Sequence, residues 1–201
     1  PMPGVGGPTV AGNSLHLDPQ NFSAQGTELI DSTLSTVIMA APGQGITDIN
    51  IAELGDYSLG GLNGGQASAE IGAAFFWTVL EIDNVAVNLA AQATNLILGT
   101  GGGPNGGRYE RPGDDGTAVI WNGAASIDLS GYLDNMDLGG KATKVRLTFD
   151  NTLQTSADEA SNAFIKKKSI DIDVHTANCI PEPTTAMLLG LGVVLLPRRR
   201  S

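Results

Sequence analysis

Apolar and polar residues alternate along several stretches of the chain with the period of two that is typical of β-strands. The apolar members of 145–149 are Val, Leu and Phe, and they are separated by charged and hydroxyl residues. In 170–174, Ile, Ile and Val alternate with two aspartates, and His175 continues the polar side. One apolar face and one polar face is the pattern of an antiparallel sheet that is buried on one side.

Further strands are predicted from runs rich in β-branched and apolar residues, and 69–82 holds the aromatic cluster of Phe75, Phe76 and Trp77. Asn122-Gly123 lies between the runs 117–121 and 126–130 and predicts a tight hairpin. The segment 90–98 fits either a strand or a helical stripe. The other predicted strands cover residues 27–40, 46–54 and 85–89.

About eight or more strands, with turns every ~8–15 residues, predict an all-β fold: an antiparallel β-sandwich of jelly-roll-like type. We place this domain at residues 27–178. Residues 1–26 are rich in Pro, Gly, Asn and Ser and predict an N-terminal arm that is flexible or forms a strand from about His16. A strand donated to a neighbouring copy is the alternative for this arm.

Residues 179–201 have a different character. Pro181-Glu182-Pro183 ends the preceding structure, the 13 residues from Thr184 to Leu196 carry no charge, and Arg198, Arg199 and Arg200 follow. The apolar run predicts a short hydrophobic helix, and the arginines favour the cytoplasmic face of a membrane. A helix of that length spans about 20 Å, short of the ~30 Å hydrocarbon core, so transient membrane contact is favoured over a permanent anchor.

The order Pro181-Glu182-Pro183, apolar segment, Arg198 to Arg200 resembles the PEP-CTERM sorting signal of Gram-negative bacteria. This resemblance covers about a tenth of the chain. It implies recognition and processing of the tail by an exosortase, and an exported protein of the cell surface or extracellular matrix that is associated with exopolysaccharide. The chain begins at Pro1 without a basic and apolar leader, which predicts an export signal that has been removed or is left out of this sequence.

The chain has 201 residues, 27 glycines and a formal net charge of −10. Without Glu182 and the three terminal arginines, 8 basic and 20 acidic residues remain, a charge of −12. Such an acidic surface repels phosphates, so we exclude a nucleic-acid partner. Cys179 is the single cysteine, so an internal disulfide is excluded. An intermolecular bridge, a modification of the thiol and an unused thiol remain open.

Sequence motifs for catalysis are not found. The match to G-x-G-x-x-G at 101–106 is interrupted by Pro104, which prevents the helix that a dinucleotide site needs. His16 and His175 lie far apart in the sequence, and neighbouring acids in turns do not specify a glycosidase pair. We therefore predict a non-enzymatic protein without a cofactor, calcium excepted.

Asp134, Asn135 and Asp137 offer oxygen ligands on a turn and are candidates for a calcium site, although Asp and Asn are also ordinary turn residues. Trp121 and Tyr109 flank the glycine-rich loop and are candidates for stacking on a glycan; the alternative for both is a place in the core. Lys166-Lys167-Lys168 is interpreted as a charged run that shields a sheet edge.

The sequence thus predicts an exported surface or matrix protein whose tail is processed by an exosortase and whose domain associates with polysaccharide or with its own copies. A self-assembling subunit of an extracellular fibre or sheath is the first alternative, and a carbohydrate-binding module the second.

Overall fold

A computed structural model of the chain describes residues 8–99 and 107–179, and these form β-strands with a single short helix. The strands are β1 Thr9–Ala11, β2 Ser14–Leu17, β3 Ser23–Gln25, β4 Glu28–Met39, β5 Gln44–Gly61, β6 Ala67–Ile82, β7 Val85–Ala86, β8 Gln92–Asn95, β9 Ile97–Leu98, β10 Arg108–Glu110, β11 Gly116–Asp128, β12 Ala142–Ala157 and β13 Ser161–Asn178, and helix α1 is Leu129–Asn135.

The strands pair antiparallel in two layers. The first layer has the order β1-β2-β13-β5-β11-β9, with β3 beside the first half of β13. The second layer has β12 between β4 and β6, and β7, β8 and β10 pair with successive parts of the far side of β6. One bridge between Ala142 and Ile46 joins the layers into a continuous sheet.

The long strands β4, β5, β6, β11, β12 and β13 lie alternately in the second and first layers, as expected for a jelly-roll-like sandwich. Apolar side chains from both layers meet between them; Ile49 and Ile172 of the first layer share a cluster with Phe75 and Leu147 of the second. The fold prediction, an all-β antiparallel sandwich, is confirmed.

The core consists of two apolar clusters. The larger one contains the Phe75 and Phe149 rings in an edge-to-face arrangement with centroids 5.4 Å apart. The smaller one contains the stacked rings of Tyr57 and Tyr109, 4.0 Å apart, together with Trp121. Each of β5, β12 and β13 contributes to both clusters, so a position near the middle of these strands lies at the boundary between them.

The predicted hairpin at Asn122-Gly123 is wrong, because β11 continues through both residues. Asn122 pairs with Leu54 and Gly123 with Glu53 in the ladder with β5. A long-range ladder overrides the local turn preference, and the absence of a side chain at Gly123 leaves space that Leu96 fills. A tight two-residue turn occurs instead at Asp83-Asn84, both with positive φ, between β6 and β7.

The predicted strand over 126–130 is wrong at its last two residues, because Leu129 and Ser130 begin helix α1. Asp128 ends β11 and caps the helix, because its carboxylate accepts a hydrogen bond of 2.8 Å from the Gly131 amide. Leu129 and Leu133 bury one side of the helix against the core. The segment 90–98 resolves into the short strands β8 and β9.

The N-terminal segment belongs to the sheet from Thr9 onward. Leu17 and Leu15 of β2 pair with Ile170 and Ile172 of the same chain, and β3 pairs with the first half of β13. The structure thus assigns a strand to the region around His16, as the sequence predicts. These strands pair within the chain, whereas the alternative expectation was donation to a neighbouring copy.

Candidate functional site

Three polar side chains interrupt the apolar inner face of the sandwich, one on each of three central strands. In β5 the inward positions run Ile49, Ile51, Glu53, and in β12 Asn151 follows Phe149 on the inner face. In β13 Lys167 follows Ile165. All three lie at the boundary between the two apolar clusters, and we call them the buried lysine cluster.

The buried lysine cluster is closed to solvent and its members touch. Lys167 and Asn151 are 0% exposed and Glu53 is 2% exposed. The Lys167 Nζ donates to Glu53 Oε2 at 2.5 Å and to Asn151 Oδ1 at 2.5 Å. Glu53 and Lys167 lie in the first layer and Asn151 in the second, so these contacts connect the two layers.

A β-bulge places Lys167 on the inner face. Lys167 pairs with Gly55, but the next paired residue is Ser169, with Leu54, so Lys168 is an extra residue in β13. The inward positions are therefore odd-numbered before the bulge, including Ile165 and Lys167, and even-numbered after it, starting with Ile170. Without the extra residue the strand would turn either its lysine or its isoleucines to the solvent.

Gly55 makes room for this arrangement. It pairs with Lys167 on one side and with Trp121 on the other. A Cβ at Gly55 would come within 3.0 Å of both the Lys166 carbonyl oxygen and the Trp121 indole. The indole therefore reaches across β5 because residue 55 has no side chain.

Aromatic rings enclose the amine. The Lys167 Nζ lies 6.0 Å from the centroid of the Phe22 ring and 6.0 Å from that of Trp121. The Lys167 amide donates to the Phe22 carbonyl at 3.1 Å, which holds the N-terminal segment against the bulge. Both rings are buried, so the surroundings of the cluster are apolar and exclude water.

The apolar surroundings disfavour charge on the lysine. Burial lowers the pKa of the Lys167 ammonium, and the Glu53 carboxylate opposes that shift through charge attraction and its hydrogen bond. Desolvation is the larger of these two effects, so the neutral amine is favoured more than it is at a solvated lysine.

The cluster also holds two orphaned polar atoms. Among the residues that the structure describes, Glu53 Oε1 and Asn151 Nδ2 are buried without a hydrogen-bond partner. Each such atom lowers the free energy of unfolding by about 1–3 kcal/mol. Apolar side chains at these three positions, or an ion pair at the surface, would not carry this penalty. Chemically, the cluster brings together an amine, an acyl carbon and a carboxyl group that can move a proton between them.

The aromatic residues predicted to contact glycan are in the core. Trp121 is 1% exposed and Tyr109 0% exposed. A sugar stacks on a ring face that reaches the solvent, and neither ring offers one, which corrects this prediction. Burial raises the pKa of the Tyr109 phenol to about 12, with smaller effects of Tyr57 and Asp114.

The predicted calcium ligands lie where α1 ends. Asp134, Asn135 and Asp137 are all exposed, and the Asp137 amide donates to the Asp134 carbonyl at 3.1 Å as part of the helix end. Within residues 8–99 and 107–179, no group of three or more His, Cys, Asp or Glu side chains is arranged to hold a metal ion. Calcium binding at these residues stays a prediction.

The predicted sorting residues Pro181, Glu182, Pro183, Arg198, Arg199 and Arg200 lie outside the described residues, as does the glycine motif at 101–106. In the described part of the chain, no helix has the length and apolar character needed to cross a membrane.

The prediction that Lys166-Lys167-Lys168 shields a sheet edge is wrong. The strand β13 is central, with β5 on one side and β2 and β3 on the other. Lys168 pairs with Asp56 at 3.2 Å near the surface, whereas Lys167 is in the core. A sequence signal exists for Asn151, a polar residue that continues the apolar alternation of Val145, Leu147 and Phe149.

No family model matches the chain, and no curated protein matches it. Among solved structures, a chain described as "Structure of infectious bursal disease virus Gt strain" is 11% identical, with a TM-score of 0.19. The match covers 95% of this chain and 48% of that one, so the chain spans about half the length of the viral protein. A likeness of this size carries no inference about fold or function.

Proposed function

We propose that the chain is a non-enzymatic structural protein, exported and displayed at the cell surface or released into the extracellular matrix. The observation that carries this proposal is the order of residues in the tail: Pro181-Glu182-Pro183, an uncharged run, then Arg198 to Arg200. The acidic, mostly sheet-built domain supports it, because such a surface keeps a displayed domain soluble and apart from anionic surfaces.

In this proposal the tail acts before the domain does. The apolar run enters the inner membrane, the arginines stay on the cytoplasmic side, and an exosortase-type enzyme recognises Pro181-Glu182-Pro183 and releases the domain. The domain then associates with polysaccharide or with its own copies.

The test is expression in a Gram-negative host that carries an exosortase, followed by fractionation and intact-mass measurement. The full chain is expected outside the cell, without Arg198 to Arg200. A double variant, Pro181→Ala with Pro183→Ala, is expected to stay in the membrane fraction at full mass. Pro42→Ala, in an exposed turn of the domain, is the control and should behave as wild type. Release of a protein that still contains the arginines would refute the proposal.

A second candidate function is self-assembly into a fibre or sheath, and the outer edge of β4 favours it. Among the described residues β4 pairs only with β12, so its other edge is open. Val37 and Met39 on this strand are 48% and 67% exposed, and an open groove of about 480 Å³ runs between β4 and β2. An unpaired apolar edge is a template for pairing with a second chain.

Light scattering and electron microscopy of the purified domain test the second candidate. The wild-type domain should form assemblies that grow with concentration, and Val37→Lys with Met39→Lys should leave monomers. Leu62→Lys, at an exposed turn away from β4, is the control and should still assemble. A wild-type domain that is monomeric at all concentrations excludes this candidate.

A further inference from the structure

The buried lysine cluster places a nucleophile against an acyl carbon. The Lys167 Nζ is 2.5 Å from Asn151 Oδ1. The carbonyl bond adds ~1.2 Å, so Nζ lies at most about 3.7 Å from Cγ of Asn151. Reacting atoms separated by ~3–3.5 Å are in the range from which an intramolecular attack proceeds without further diffusion.

The same cluster supplies the proton transfer that such an attack needs. Glu53 Oε2 is 2.5 Å from Nζ, within reach of the proton that an ammonium must lose to become a nucleophile. Burial lowers the pKa of Lys167, which favours the neutral amine in this apolar position. Phe22 and Trp121 keep water away, so hydrolysis of the amide does not compete.

The two orphaned atoms fit the reaction. Asn151 Nδ2, which is buried without a partner among the described residues, is the group that would leave. After it leaves, the carboxyl group of Glu53 is protonated and can donate to the new amide oxygen. The cluster therefore has buried polar atoms without hydrogen bonds before the reaction and fewer of them after it.

We propose that Lys167 and Asn151 condense spontaneously into an intramolecular isopeptide bond that links β13 to β12 across the two layers of the sandwich. In the first step the Lys167 ammonium gives one proton to Glu53. The neutral Nζ then attacks Cγ of Asn151, and a new N–C bond forms.

The second step releases ammonia. Glu53 gives its proton to Nδ2 and takes a proton from Nζ, the Cγ–Nδ2 bond breaks with its electron pair on nitrogen, and ammonia leaves. Ammonium, carboxylate and carboxamide thus become a secondary amide, a neutral carboxylic acid and ammonia. Nothing is oxidised or reduced, and no co-reactant is needed.

The test is the intact mass of the purified, folded full chain, followed by protease digestion and tandem mass spectrometry. The chain should be lighter than its sequence by one ammonia molecule. The digest should contain a branched peptide in which the Lys167 side chain is joined to residue 151. A folded chain of full mass, with separate linear peptides around Lys167 and Asn151, overturns the proposal.

Variants separate the reaction from other sources of the same mass loss. Lys167→Arg and Glu53→Gln should have the full mass, whereas Lys166→Arg, the neighbouring position in the strand, should keep the loss. A succinimide at an Asn-Gly step also releases ammonia, but it leaves the peptides linear and persists in Lys167→Arg; that result overturns the proposal.

Two further outcomes are informative about the chemistry. A branched peptide in Glu53→Gln would overturn the role of Glu53 in proton transfer. A branch from Lys167 to residue 53, with loss of water, would overturn the assignment of Asn151 as the acyl donor. If Lys167→Arg does not fold, Asn151→Ala gives a second unreactive variant, and circular dichroism checks the fold of each.

Discussion

Replacing Gly55 with alanine tests whether the packing around β13 and Trp121 is as tight as described. The new Cβ would come within 3.0 Å of the Lys166 carbonyl oxygen and of the Trp121 ring. Overpacking of this kind costs about 1–3 kcal/mol, and the upper end applies because a backbone atom cannot turn away. A Gly to Ala change in a strand returns ~0.5–1 kcal/mol, so the expected net loss is about 2 kcal/mol.

Thermal unfolding followed by circular dichroism measures this loss. For a domain of this size each kcal/mol shifts Tm by about 2–4 °C, so Gly55→Ala should unfold about 4–8 °C below wild type. Gly72→Ala is the matched control: Gly72 is also in a strand, and its Cβ would have no atom within 4 Å. That variant should be as stable as wild type or more stable.

A double variant locates the cause. Trp121→Phe removes part of the ring that the new Cβ meets, so it should cost less in the Gly55→Ala background than in wild type. If Gly55→Ala is at least as stable as wild type while Gly72→Ala behaves as expected, the close approach of Trp121 over β5 is not present in solution, and the account of how the buried lysine cluster is enclosed fails.

Three more predictions follow from side chains outside that cluster. Arg111 donates to the carbonyls of Gly61 and Leu62, so Arg111→Ala should lower the free energy of unfolding by about 1–3 kcal/mol, seen as a lower Tm. The exposed Arg146→Ala should leave Tm unchanged. The Tyr109 pKa is raised from 10.0 to about 12, so the folded state binds the phenolic proton more tightly than the unfolded state does. The free energy of unfolding, measured in urea, should therefore fall as pH rises from about 10 to about 12, and it should fall less in Tyr109→Phe. Hydrogen bonds, first from the Ser161 hydroxyl, lower the Asp158 pKa below 3.8, so its contribution is present above that pH and is lost on acidification; Asp158→Asn should show a smaller acid-side decrease in Tm.

Much of the fold could be predicted because the long strands carry their own pattern. The predicted strand 27–40 matches β4, Glu28–Met39, and 69–82 matches β6, Ala67–Ile82, since both have dense β-branched and aromatic residues between turn residues. The Asn122-Gly123 turn could not be judged locally, because the ladder with β5 that straightens it involves residues about seventy positions earlier.

The site could not be predicted for a different reason. The strong alternation at Ile170 and Ile172, extended backwards in register, puts Lys167 on the outer face. The extra residue at Lys168 reverses that assignment, and nothing in a run of three lysines marks which one is extra. In the sequence Glu53 likewise stands as a polar residue near isoleucines, and the strands that pair with β5 and fix which face is inward are distant in sequence.

The position of β13 has a mechanical consequence. The strand is hydrogen-bonded to β5 from Ser161 to Asn178 and to β2 and β3 on its other side, and it leads directly into the tail. A pulling force applied at Cys179 along the strand axis therefore loads many ladder bonds at once, in shear, instead of peeling them one by one. A domain tethered through its C-terminal end would therefore resist unfolding best when the force acts along the axis of β13.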